Sequence, residues 1–126
     1  MTIAIDQLLR VYQQLGMLVG DEAGSRTIYL PDRAEDLPLL DGCADLVICR
    51  NGLDHMPDPG VVLDEIWRIL RPDGALFVSV DIEGVPTPDE PTVFSVTSLR
   101  EALQVRFEIA ALYVTILRTA ASAPSA

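Results

Sequence analysis

Leu37-Pro38-Leu39-Leu40-Asp41-Gly42-Cys43-Ala44-Asp45-Leu46-Val47-Ile48-Cys49-Arg50-Asn51-Gly52-Leu53-Asp54-His55-Met56-Pro57-Asp58-Pro59 leads through an amphipathic stretch into Arg71-Pro72-Asp73-Gly74-Ala75-Leu76-Phe77-Val78-Ser79-Val80, and this run decides the fold. Asp41-Gly42 is a turn that feeds a strand over residues 45–50. Its centre, Leu46-Val47-Ile48-Cys49, is continuously apolar, so both of its faces are expected to be covered. Asp58-Pro59 opens a helix with a capping side chain and a proline in the first turn. Val62, Leu63, Ile66, Ile69 and Leu70 recur at helical spacing and form its buried stripe. Asp64, Glu65 and Arg68 are expected to face out, with Trp67 half covered beside the stripe. Pro72-Asp73-Gly74 ends the helix, and residues 75–80 form a second buried strand. The unit is βαβ, which makes the strands parallel.

Working outward, residues 2–5 form a short apolar strand that ends at Asp6. A helix follows, with Leu8, Val11, Tyr12, Leu15 and Leu18 on one face and Asp6 as its cap. Residues 20–25 are a loop, residues 26–30 a strand stopped by Pro31, and residues 32–42 an acidic loop. Downstream, residues 81–91 are a loop rich in Pro, Gly and acids. Ser98 to Glu101 has capping-box spacing and opens a short helix with Leu99, Ala102 and Leu103 inward. Residues 107–117 read as one long β run or two strands with a bend. Residues 1–118 are read as one domain and residues 119–126 as a disordered tail. Strands alternating with helices give an α/β domain with a mainly parallel sheet, which binds ligands outside the carboxyl ends of its strands.

The 126 residues allow one domain with one core. The formal charge of -10 repels phosphate backbones and anionic membranes, so neither nucleic acid nor a membrane surface is expected as a partner. No run of about eighteen apolar residues occurs, so no helix is expected to span a bilayer. The start, Met1-Thr2-Ile3-Ala4-Ile5-Asp6, lacks the positive flank and long apolar region of a signal peptide, and a cytoplasmic location is the expectation. Cys43 and Cys49 make no disulfide framework. Together with His55 they bring too few ligands for a metal site, and none is expected.

Several segments carry a family resemblance. They are Glu35-Asp36-Leu37-Pro38, Asp41-Gly42-Cys43-Ala44-Asp45-Leu46-Val47, Arg50-Asn51-Gly52-Leu53-Asp54-His55, and Leu63-Asp64-Glu65-Ile66 with Arg68-Ile69-Leu70-Arg71-Pro72-Asp73-Gly74. Together they resemble the class I S-adenosylmethionine-dependent methyltransferases, and within them the type 11 group. The resemblance covers about residues 2–113 and implies an α/β, truncated Rossmann-like methyltransferase fold. By it, Asp6 matches the acid that holds the cofactor's ribose hydroxyls, and Glu35 or Asp36 the acidic position near the adenine. Arg50 and Asn51 match the strand end that opens toward the methionine moiety and the methyl group. His55 is the candidate general base, with fixing the loop before the helix as the favoured alternative. On plain chemistry Asp6 is also a helix cap, and Glu35 and Asp36 are also solvated loop acids.

The sequence departs from that family in one large respect. Only 36 residues precede Leu37, and none of them forms the family's glycine-rich cofactor loop or the central strand before it. Strands 2–5 and 46–49 would flank that central strand. They are therefore expected either to pair directly or to accept a strand from another chain, as a homodimer or with a partner subunit. The resemblance implies S-adenosylmethionine as cofactor and a small molecule as methyl acceptor, with weak or no activity for the isolated chain. A non-catalytic interaction or accessory subunit is the alternative, and another nucleotide-binding α/β domain is a third reading.

Overall fold

In a computed structural model, which describes residues 1–16, 26–82 and 84–114, two parallel strand pairs stand side by side without joining. The elements in chain order are β1 (Thr2–Ile5), α1 (Leu9–Gln14), β2 (Thr27–Leu30), β3 (Ala44–Arg50), a 3-10 turn (Leu53–His55), α2 (Pro59–Ile69), β4 (Leu70–Ser79) and α3 (Val96–Gln104). Strand β1 pairs with β2 from Thr2↔Thr27 to Ile5↔Leu30. Strand β3 pairs with β4 from Leu46↔Ala75 to Arg50↔Ser79. The expected α/β class and parallel strands are present, and the fold is Rossmann-like. The expected direct pairing of β1 with β3 is not made, so each of these strands has one neighbour among the described residues.

The core is built on α2. Asp58 accepts from the Val61 amide at 3.3 Å, and Pro59 occupies the first turn, where a missing amide costs nothing. The helix then buries Val62, Leu63 and Ile66 with Leu53, Leu70 and Phe94. Val47 and Cys49 of β3, with Leu76 and Val78 of β4, pack on this cluster from the sheet. Leu99, Ala102 and Leu103 of α3 close it from the far side, as their spacing indicates.

Only one face of the β3–β4 pair is covered, which corrects the expectation drawn from its apolar centre. Successive side chains alternate between faces. Val47 and Cys49 meet α2, while Leu46 and Ile48 are 56% and 64% exposed and Phe77 beside them is 56% exposed. Helix α1 differs in the same way. It begins at Leu9, not at Asp6, and of its expected apolar face Leu8, Val11 and Leu15 are exposed. Among the described residues no element lies against either surface. Leu18, the loop 20–25 and residues 115–126 fall outside the described residues.

Three boundaries also move. Strand β4 starts at Leu70, and its pairing with β3 shifts register between Ala44 and Leu46. The Pro72-Asp73-Gly74 turn is thus a bulge within the ladder, not a break before it. Helix α3 is capped three residues earlier than expected. Ser95 accepts from the Ser98 amide, and the Ser98 hydroxyl accepts from the Ser95 amide. Residues 107–114 form no ladder, although the outer edge of β4 is unpaired among the described residues. Trp67 is half exposed, as expected, and carries the Arg106 guanidinium 5.4 Å above its ring.

The bulge depends on Gly74. A Cβ there would meet the Arg71 carbonyl oxygen at 2.9 Å and the Asp45 carbonyl oxygen at 3.2 Å, both backbone atoms that cannot swing aside. Gly74→Ala is therefore expected to destabilise the fold by about 1–3 kcal/mol through forced backbone shifts. Chemical denaturation of the purified protein measures it, and an unchanged midpoint would show that the bulge is not tight.

Candidate functional site

A cleft of about 480 Å³ lies between the carboxyl ends of β1 and β3. Parallel α/β sheets bind ligands at this position, because the strand ends there leave backbone groups and loops open to one crevice. Asp6 and Glu35 line it from the β1–β2 side, and Arg50, Asn51 and His55 from the β3 side. Asp36 does not line it, and its amide instead donates to the Arg33 carbonyl at 3.2 Å. Of the two acids at the expected adenine position, the fold brings only Glu35 to the cleft.

Each lining residue is held by local structure. Asp6 follows the last residue of β1, and its Oδ1 accepts from the Leu8 amide at 2.8 Å. That is an Asx-type turn, not a cap on α1. Glu35 pairs loosely with Arg33 at 3.5 Å. Arg50 is the last residue of β3, and Asn51 turns away from the ladder with φ of 50°. A non-glycine residue in this left-handed region is uncommon, and asparagine tolerates it better than most. The Asn51 amide donates to the Ser79 carbonyl at 2.8 Å, which ties the kink to the end of β4.

His55 has both ring nitrogens engaged. Nδ1 lies 2.8 Å from the Asp89 carbonyl oxygen, and Nε2 lies 3.5 Å from Glu90 Oε1. The loop that supplies these partners is pinned again by Thr92, whose amide reaches the Asp54 carbonyl and whose hydroxyl donates to the Met56 carbonyl at 3.0 Å. Asp54 itself is buried, at 2% exposure. Sequence reasoning passed over Asp54 and Glu90. Asp54 was legible only as the neighbour of His55, and Glu90 lies in a Pro-rich acidic loop with no motif of its own. The cysteines offer no nucleophile here. Cys43 is exposed in the turn before β3, away from the cleft, and burial pushes the Cys49 thiol above its ordinary range.

The acidic loop beside the cleft is clamped onto α2 by two side chains that were expected to face solvent. Arg68 donates to both Glu65 oxygens, at 2.8 and 2.9 Å, to the Leu37 and Leu39 carbonyls, and to Asp41 at 2.8 Å. Glu65 Oε2 also accepts from the Leu37 amide at 2.8 Å. The bifurcated guanidinium suits this task, since it can meet a carboxylate and several carbonyls in one plane. Its hydrogen bond holds the Glu65 carboxyl below the usual carboxylate range, against the opposing effect of burial.

A family model described as "Methyltransferase domain" matches residues 4–78. An uncharacterized protein of Escherichia coli (strain K12), YafE, is 34% identical over 91 residues, which is 69% of this chain and 42% of that protein. A ubiquinone biosynthesis O-methyltransferase of Xylella fastidiosa is 37% identical over 68 residues, 52% of this chain and 27% of the other. The chain therefore spans less than half the length of these two relatives. A crystal structure of a SAM-dependent methyltransferase from Methanosarcina mazei superposes with a TM-score of 0.68 at 18% identity, covering 94% of this chain and 74% of that one.

The lowered Glu65 carboxyl sets an acid dependence. Its contribution is complete above the ordinary carboxylate pKa of about 4.3 and is lost as pH falls through the lower folded value. Stability of the wild type is expected to fall across that acid window as the Leu37–Asp41 loop loosens. Glu65→Gln should be less stable at neutral pH and flatter across the same window. Denaturation midpoints from pH 7 down to pH 3 measure both, and parallel curves would remove Glu65 from the clamp.

Proposed function

The chain belongs to the methyltransferase-domain family, and from that premise we propose that it is one part of an S-adenosylmethionine-dependent methyltransferase with a small-molecule acceptor, weak or inactive until a second polypeptide completes its sheet. The cleft carries this reading. It sits where the two strand pairs face each other at their carboxyl ends, with acids on one wall and Arg50 and Asn51 on the other.

The residues present suit half of such a cofactor. In this reading Asp6 accepts from the two ribose hydroxyls, since one carboxylate can serve vicinal donors together. Glu35 accepts from the amino edge of the base, and Asp36 steadies the loop behind it. The Arg50 guanidinium answers the carboxylate of the methionine moiety, and the Asn51 kink opens that end of the cleft. The bound sulfonium supplies an activated methyl group, so the protein mainly aligns acceptor, methyl carbon and leaving sulfur. Sparse acid–base residues are consistent with that chemistry. With both ring nitrogens turned toward Asp89 and Glu90, His55 acts in this reading as a positioning residue for the 87–92 loop. Proton removal from the acceptor through His55 is the role that His55→Gln would expose, as a loss of kcat with a shifted pH profile.

What the described residues lack is a glycine-rich turn that lets backbone approach the cofactor closely. The facing edges of β1 and β3 support its supply by another strand, whether from a second copy or a partner subunit. Packing against Leu46, Ile48 and Phe77 contributes roughly 1.5–3 kcal/mol for each side chain buried. The same exposed face favours one other reading, a methyltransferase-like accessory subunit that binds its partner and transfers nothing. No helix among the described residues is long and apolar enough to cross a membrane, and a cytoplasmic site of action is part of the proposal.

Calorimetric titration with S-adenosylmethionine separates these readings. Weak binding that falls at least tenfold in Asp6→Ala is expected, with an increase on adding whichever chain co-purifies. Equal binding by wild type and variant would discard the ribose assignment, and no binding with or without the partner would leave the accessory reading.

A further inference from the structure

We propose that Asp54, His55 and Glu90 hold a divalent metal ion at the edge of the cleft. One ligand atom from each residue lies within 4.8 Å of the other two. His55 Nε2 and Glu90 Oε1 are already 3.5 Å apart. A tetrahedral ion with bonds of about 2.1 Å places its ligand atoms about 3.4 Å apart. Small side-chain adjustments therefore bring all three onto one ion.

The carboxylate of Asp54 is the independent sign of a ligand. The residue is 2% exposed, and its Oδ1 has no hydrogen-bond donor among the described residues. A buried, unpartnered carboxylate oxygen is costly, and a cation removes that cost. His55 points to the same position by its tautomer. The Asp89 carbonyl can only accept, so the hydrogen sits on Nδ1 at 2.8 Å from it. The lone pair on Nε2 then faces a carboxylate oxygen, and two acceptors face each other unless a positive charge lies between them. A divalent ion balances both carboxylates.

The surroundings are built for fixed ligands. Asp54 and His55 sit in the turn Leu53–His55, anchored by fully buried Leu53. Glu90 is set by a reciprocal turn in which its amide donates to the Thr87 hydroxyl at 2.9 Å and its carbonyl accepts from the Thr87 amide at 3.0 Å. The Nδ1–H to carbonyl bond is the outer contact that commonly orients a metal-bound imidazole. Two carboxylates and one imidazole, with no thiolate, suit Mn²⁺, Fe²⁺, Co²⁺ or Zn²⁺. His55 also lines the cleft, so the remaining coordination positions border it. None of this depends on S-adenosylmethionine binding.

The test uses the purified chain, stripped with chelator and titrated separately with Co²⁺, Mn²⁺ and Zn²⁺. Calorimetry should give one ion per chain, Co²⁺ should develop visible absorption bands of low coordination number, and Tm should rise on loading. His55→Gln and Glu90→Gln alter partly exposed side chains, and circular dichroism checks that they stay folded. Each is expected to weaken binding at least tenfold and to abolish the absorption bands. Asp54→Asn, if it folds, should do the same. Absence of one-to-one binding would overturn the proposal. So would weak binding at several sites that His55→Gln and Glu90→Gln leave unchanged, since a chain with net charge -10 collects cations unspecifically.

Discussion

A parallel strand in the middle of a sheet needs a neighbour on each side, because its backbone groups point both ways and water is excluded from its faces. Among the described residues, strands β1 and β3 each have one. Around these open edges the described residues also leave apolar surface uncovered. The strand pairs stand apart. The β3–β4 pair shows Leu46, Ile48 and Phe77 on the face that α2 does not cover, and α1 turns Leu8, Val11 and Leu15 outward.

Much of the fold was legible in local chemistry. The cap-and-proline start at Asp58-Pro59 and the apolar stripe of α2 rest on interactions within a few residues of one another, which a sequence displays directly, and the order of strand, helix and strand then makes β3 and β4 parallel. The failures have a common physical origin. Continuous apolarity in Leu46–Cys49 records what the strand would bury, not what the described residues supply to bury it. Glu65 and Arg68 look like an exposed helical ion pair until the Leu37–Asp41 loop folds back across them. Residues 107–114 carry β-type residues and still form no strand. In α3 the capping pair is Ser95 with Ser98, a hydroxyl in place of the usual carboxylate partner, which the expected pattern did not include.

The cleft shows the same division. Asp6, Arg50 and Asn51 line the cleft because they stand at strand ends, which are easy to place, and Glu35 lines it while Asp36 beside it does not. The cluster of Asp54, His55 and Glu90 was not legible, since its third member arrives from 35 residues beyond His55, through a loop whose course is set by Thr87 and Thr92. Two separate devices thus hold the walls of one crevice: the Arg68 clamp on the side of Glu35, and the pinned 87–92 loop on the side of His55. Neither lies in the facing edges of β1 and β3, so both walls are set independently of those edges.

Sedimentation equilibrium of the purified chain over a wide concentration range, read together with its thermal melt, tests the incomplete sheet most directly. The expected result is association, with a mass of at least twice 13.7 kDa at micromolar concentration and loss of cooperative melting on dilution. A monomer at every concentration that melts in one sharp transition would show that two separate strand pairs suffice, and would contradict the need for another strand between them.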